Sequence, residues 1–218
     1  MSLNNQSPAA CNADAALLAA FATVTAITGE LEITRNPSLT SLTGLDALTW
    51  VGSLAVTNNA ELLSLDGLAA LTTVVGDLSL DTNKKLTTLA ALGSLTTLNG
   101  SLIIDESSAL TNLVGLEGLA YIEGHLEIKL SNALTEVVGL DSLTSIGGSL
   151  TISGNGGLTA ITGLDSLTSI GGDLSIVFNT ALTSVTPLVG VSIGGSCMIM
   201  HNAGSCNTDC DCNDLVVT

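Results

Sequence analysis

Aromatic side chains are nearly missing from this chain. Two Phe, one Tyr and one Trp make up 2% of its 218 residues. Rings usually supply much of the bulk of a core, so Leu, Ile, Val and Ala must supply it here. Positive charge is equally scarce: Arg35, Lys84, Lys85 and Lys129 stand against 20 acidic residues, for a net charge of −16. So acidic a chain repels phosphate backbones, and nucleic acid is excluded as an expected partner. Anionic lipid surfaces are disfavoured for the same reason. Long apolar runs are absent as well. Mean hydropathy is +0.58, yet Gly, Ser, Thr and Asn interrupt every apolar cluster before it reaches the roughly 18 residues of a membrane span, so no membrane insertion is expected.

The middle of the chain contains no cysteine. Cys11 lies near one end, and Cys197, Cys206, Cys210 and Cys212 lie near the other. Clustering of this kind suggests a disulfide-stapled terminus and an oxidising compartment, hence a secreted or cell-surface location. Met1-Ser2-Leu3 and the polar Asn4-Asn5-Gln6-Ser7-Pro8 show no export signal, and residues 1–11 read as a disordered leader.

What the sequence does contain is a repeat. From Gly147 to Ile176 the chain runs GGSLTISGNGGLTAITGLDSLTSIGGDLSI, beginning and ending on Gly-Gly-x-Leu-x-Ile. Leu31, Leu54, Leu78, Leu102, Leu126, Leu150, Leu174 and Cys197 form one column at spacings of 23 or 24. Two residues later stand Ile33, Val56, Leu80, Ile104, Ile128, Ile152, Ile176 and Ile199. This alternation predicts a short strand with both columns inward. Five positions after each Leu comes Asn36, Asn59, Asn83, Ser107, Ser131, Asn155, Asn179 and Asn202. An Asn at a repeated corner can satisfy turn backbone that would otherwise be buried unpaired. Leu158, Ile161, Leu164, Leu167 and Ile170 then continue in steps of three, a period that suits short extended or 3₁₀-like pieces.

These features predict one elongated, mainly β domain over residues 12–218. Residues 12–28 read as an N-terminal cap, with a short helix capped by Asn12 or Asp14 and bearing Leu17, Leu18 and Phe21 on one face. Residues 29–202 carry the repeats and 203–218 a cysteine-rich C-terminal cap. A solenoid's end layers need such covers.

The pattern Gly-x-Leu-x-Ile-x-x-Asn-x-x-Leu-x-x-Leu-x-Gly-Leu-x-x-Leu-x-x-Ile, over roughly residues 20–202, resembles leucine-rich repeats of the receptor L-domain type. The segment Leu150-Thr151-Ile152-Ser153-Gly154-Asn155 is also similar to the general leucine-rich repeat. Ile146, four rather than three positions before Leu150, favours the L-domain variant. That resemblance implies a right-handed β-solenoid of 23–24-residue coils that binds a protein or glycan outside cells, and it implies no chemistry.

Solenoids bind through their ribbed faces, so the outward strand positions are the first candidates. Asp81 and Asp105 share a column, Glu106 adjoins them, and Glu127 and Lys129 follow one coil on. A second column holds Asp46, Glu117, Asp141 and Asp165. Calcium would relieve repulsion there, but carboxylates bonded to backbone amides of the Gly-Leu-Asp turn are the favoured reading, and no metal is expected. Thr87, Thr111, Thr135, Thr159 and Thr183 form a rank beside a second one of Thr49, Thr72, Thr96, Thr144 and Thr168. Regular Thr ranks can match an ice lattice, which makes ice binding the alternative function, although Thr ladders also stabilise stacked coils.

An enzyme is not expected. Neither His125 nor His201 accompanies a nucleophile motif, and uniform coils offer no cleft for a carboxylate pair. A carbohydrate-active enzyme on a β-helix scaffold is the remaining alternative, and no cofactor is implied. At the C-terminal end, Cys-x₃-Cys-x-Cys is not a usual zinc spacing, so disulfides are expected. Cys197 would pair with one member of the Cys210–Cys212 unit and Cys206 with the other. Cys11 lies at the far end of the rod, beyond the roughly 6 Å that a bridge spans between Cα atoms. It offers a route to self-association, as do the solenoid ends.

Overall fold

The computed structural model describes residues 2–4 and 18–203. They form a right-handed parallel β-solenoid of about seven turns, with coils of about 24 residues and almost no helix. Each coil contributes a longer strand, as in Leu78–Asp81, Leu102–Asp105, Leu126–Lys129, Leu150–Ser153 and Leu174–Val177. It also contributes a two-residue strand, as in Thr73–Val74, Thr97–Leu98, Tyr121–Ile122 and Ser145–Ile146. Both series stack in parallel, and Trp50–Thr57 is long enough to belong to both. The register is uniform: Leu78 pairs with Leu102, Leu102 with Leu126, Leu126 with Leu150 and Leu150 with Leu174.

The steps of three have a simple origin. Leu92, Leu95, Leu116, Leu119 and Leu143 each donate their N–H to the carbonyl three residues back. Single 3₁₀-type turns are thereby chained, and every third side chain returns to the inside. One coil's inward set, Leu102, Ile104, Leu110, Leu113, Leu116, Leu119 and Ile122, is 0% exposed. Eight strands at about 4.8 Å give a stack on the order of 35 Å long.

Glycine is needed where coils approach closely. Gly139 has φ +115°, and a Cβ there would collide with the Leu113 carbonyl of the coil before. At the Gly-Gly corner the reason is proximity alone: a Cβ on Gly148 would sit 2.7 Å from the Gly124 carbonyl oxygen.

The ends differ from expectation. Ser2–Asn4, placed in a disordered leader by the sequence reading, pair in parallel with Glu32–Thr34. The open edge of the first coil presents unpaired backbone groups that any extended segment can satisfy. The first long strand begins at Ala26, inside the stretch assigned to the N-terminal cap. Of the expected helix only its last turn is described: Leu18 is buried and Phe21 packs on the core. Cys11, Cys206, Cys210 and Cys212 lie outside the described residues, as does their pairing. Cys197 continues the Leu column and packs, half-buried, against the core. Among the described residues no helix is long and apolar enough to cross a membrane.

Candidate functional site

The expected corner ladder is present. Asn155 Oδ1 accepts the N–H of Ser131 at 2.9 Å, while its Nδ2 donates to the Ile128 carbonyl at 2.9 Å and to Asn179 Oδ1 at 3.2 Å. Asn59, Asn83, Asn179 and Asn202 repeat the donation to the strand carbonyl one coil back. The ladder thins in mid-rod. Ser131 Oγ turns to the Lys129 carbonyl, and Ser107 Oγ is buried with no hydrogen-bond partner among the described residues.

The candidate patch lies over this thinned section. Strand register places Asp81, Asp105 and Lys129 side by side on three successive coils. Lys129 pairs with Glu127 on its own strand. Glu106 follows Asp105 directly and reaches back 3.4 Å to Lys84. The five residues singled out by sequence are therefore brought together, with Lys84 added. Beside them a hollow of about 220 Å³ is lined by Lys84, Glu106, Ser108, Leu130 and Asn132.

Asp105 is the anomalous member. Its Oδ1 is buried without a hydrogen-bond partner among the described residues. Burial first, then the charge of Asp81, holds its carboxyl above the usual carboxylate range, and Glu106 adds to this; the Glu106 N–H and Lys129 pull the other way. A carboxyl whose folded pKa is raised removes stability as pH climbs from its ordinary value through the raised one. Asp105→Asn is therefore expected to raise the melting temperature at neutral pH, with the advantage over wild type shrinking as pH falls through the raised pKa and gone below about pH 4, where both side chains are neutral. Paired melting curves across that window check this; an advantage independent of pH would contradict it.

The other candidate columns are bonded into the frame. Asp46, Asp141 and Asp165 accept the N–H of Gly44, Gly139 and Gly163, and Glu117 accepts that of Gly115. This is the turn bonding favoured by the sequence. Thr87, Thr111, Thr135, Thr159 and Thr183 are all exposed. The hydroxyls of Thr87, Thr135, Thr159 and Thr183 donate to carbonyls one coil back at 3.1–3.5 Å.

Two features escaped sequence reasoning. The residue after each long strand is left-handed whatever its type: Thr82, Glu106, Leu130 and Phe178 have φ of 47–59°. Each donates its N–H to the end of the next coil's strand, which fixes the conformation against side-chain preference. The second is a ladder at the Gly-Gly corner. Asp77 Oδ1, Ser101 Oγ, His125 Nδ1, Ser149 Oγ and Asp173 Oδ1 each accept the N–H of the equivalent residue one coil on. Mixed residue types in one column hid it.

Comparison of the chain with models of protein families, with curated proteins and with solved structures gives no match.

Proposed function

We propose that this chain is a non-catalytic binding module of the receptor L-domain type. It works in an extracellular setting, secreted or at the cell surface, and recognises a protein or glycan through the long-strand face. The supporting observation is the strand register that sets Asp81, Asp105 and Lys129 side by side on successive coils, with Glu127, Glu106 and Lys84 paired beside them. The repeat pattern supports the L-domain reading, and the stacked coils supply the rigid ribbed surface that such modules use.

The test is an array of glycans and surface proteins probed with wild type and with Asp81→Lys/Asp105→Lys/Lys129→Glu. The variant is expected to lose on the order of tenfold in affinity, about 1.4 kcal/mol, without a lowered melting temperature. Equal affinity in the two proteins would remove the site from this face.

Ice binding through the Thr87–Thr183 rank is the second reading, favoured by Thr at five successive coils, all exposed. Thermal hysteresis lost in Thr135→Tyr but kept in the charge-reversed protein would favour it over the first.

A further inference from the structure

A second surface of the rod has a different chemistry. The two-residue strands and the start of Trp50–Thr57 set Trp50, Thr73, Thr97, Tyr121, Ser145 and Ser169 in one outward column. Trp50 and Tyr121 stand three coils apart, about 14 Å along the axis at the usual strand spacing. Tyr121 is 45% exposed. Its hydroxyl reaches over the next coil: a Cβ on Gly147 would lie 2.9 Å from it. The ring therefore lies lengthwise along the rod, where its register neighbour is the small Ser145.

Beside this column runs the second threonine rank. The hydroxyls of Thr49, Thr72, Thr144 and Thr168 donate to carbonyls one coil back at 2.9–3.0 Å. A hydroxyl has one proton and two lone pairs, so these oxygens face solvent as acceptors only. Exposed carboxylates flank the rank: Asp141 and Asp165 stand three residues before Thr144 and Thr168, Glu117 holds the same place before Ala120, which interrupts the rank, and Glu123 follows Tyr121 by two. All four strong bases of the chain lie elsewhere, at the end of the long strands or on the corner after them. The surface thus offers ring platforms, aligned acceptors and negative charge, and no side-chain cation.

We propose that this face binds a linear amine-bearing glycan of the glucosamine-polymer class, laid along the rod axis. Sugar rings stack on Tyr121 and Trp50, and ammonium groups meet the threonine oxygens and the flanking carboxylates. The inference concerns a different face from the Asp105 patch and does not depend on it.

Calorimetric titration of the full chain tests it, using a fully deacetylated glucosamine oligomer, the N-acetylated oligomer of equal length and an oligomer of anionic uronic acids. The amine oligomer is expected to bind, with the acetylated one at least about fivefold weaker and the anionic one silent. Tyr121→Ala and Trp50→Ala should each weaken binding by about fivefold, the scale of one aromatic contact. Tyr121→Phe should retain wild-type affinity, and Phe178→Ala, which removes an exposed ring elsewhere, should have no effect. Four results would overturn the proposal: no binding of the amine oligomer, equal binding of the acetylated one, wild-type affinity in both alanine variants, or an equal loss in Phe178→Ala. Unaltered ring variants would reduce the attraction to the chain's overall negative charge.

Discussion

Alanine at Leu102 is expected to lower the unfolding free energy by about 2–5 kcal/mol. Leu102 is fully buried in mid-rod, with Leu78 and Leu126 as register neighbours. Relaxation is the usual escape from a cavity, and here it is blocked. The Leu78 N–H donates to the Ser101 carbonyl and the Leu102 N–H to the His125 carbonyl, both at 2.8 Å. The coil is tied on both sides and cannot settle toward the void. Ile103, the next residue, points outward and is only half-buried, so Ile103→Ala should cost less than about 1 kcal/mol. Urea unfolding of the two variants measures the contrast; equal losses would mean that the strand's inward face has been misassigned.

Asn155→Ala is expected to cost about 3 kcal/mol, more than Ser131→Ala at the equivalent corner one coil earlier. The carboxamide accepts one buried N–H and donates to two oxygens. Its removal leaves the Ser131 N–H in the interior without an acceptor, which alone is worth about 1–3 kcal/mol. Ser131 Oγ bonds only within its own turn. The same logic runs in reverse at Ser107, whose hydroxyl has no hydrogen-bond partner among the described residues. Ser107→Asn would restore the missing rung and should gain about 1 kcal/mol. Thermal unfolding of the three variants settles the order, and equal shifts would show the corner column to be decoration.

Much of this architecture was legible because stacking makes each coil repeat its constraints. A column such as Leu78, Leu102 and Leu126 is one environment sampled several times. The steps of three translate directly into 3₁₀-type turns, and the Gly-Leu-Asp motif into a carboxylate closing on a glycine N–H. Legibility failed where the backbone, rather than the side chain, makes the contact. Thr82, Glu106, Leu130 and Phe178 share nothing but a left-handed φ imposed by the N–H bond to the next coil. The Gly-Gly corner ladder needs only an acceptor, so Asp, Ser and His serve alike. Pairing of Ser2–Asn4 with the first coil depends on an open sheet edge, which no local pattern announces. At the candidate patch, sequence placed Asp81, Asp105, Glu106, Glu127 and Lys129 together. It gave no sign that one carboxylate oxygen of Asp105 would be held away from water, because that depends on neighbouring coils.

The measurement that bears most directly on the stacked-coil account is residue-resolved amide hydrogen exchange. The N–H groups of Leu54, Leu78, Leu102, Leu126, Leu150 and Leu174 each donate to a carbonyl of the following coil at 2.8–2.9 Å. Their protection should recur every 23–24 residues. The corner amides of Asn59, Asn155 and Asn179, which have a carboxamide oxygen as acceptor, should be slow. Those of Asn83 and Ser107, which face serine, should exchange faster. Protection without that recurrence, or Asn83 and Ser107 amides as slow as their counterparts, would contradict the register on which both proposed binding faces are built.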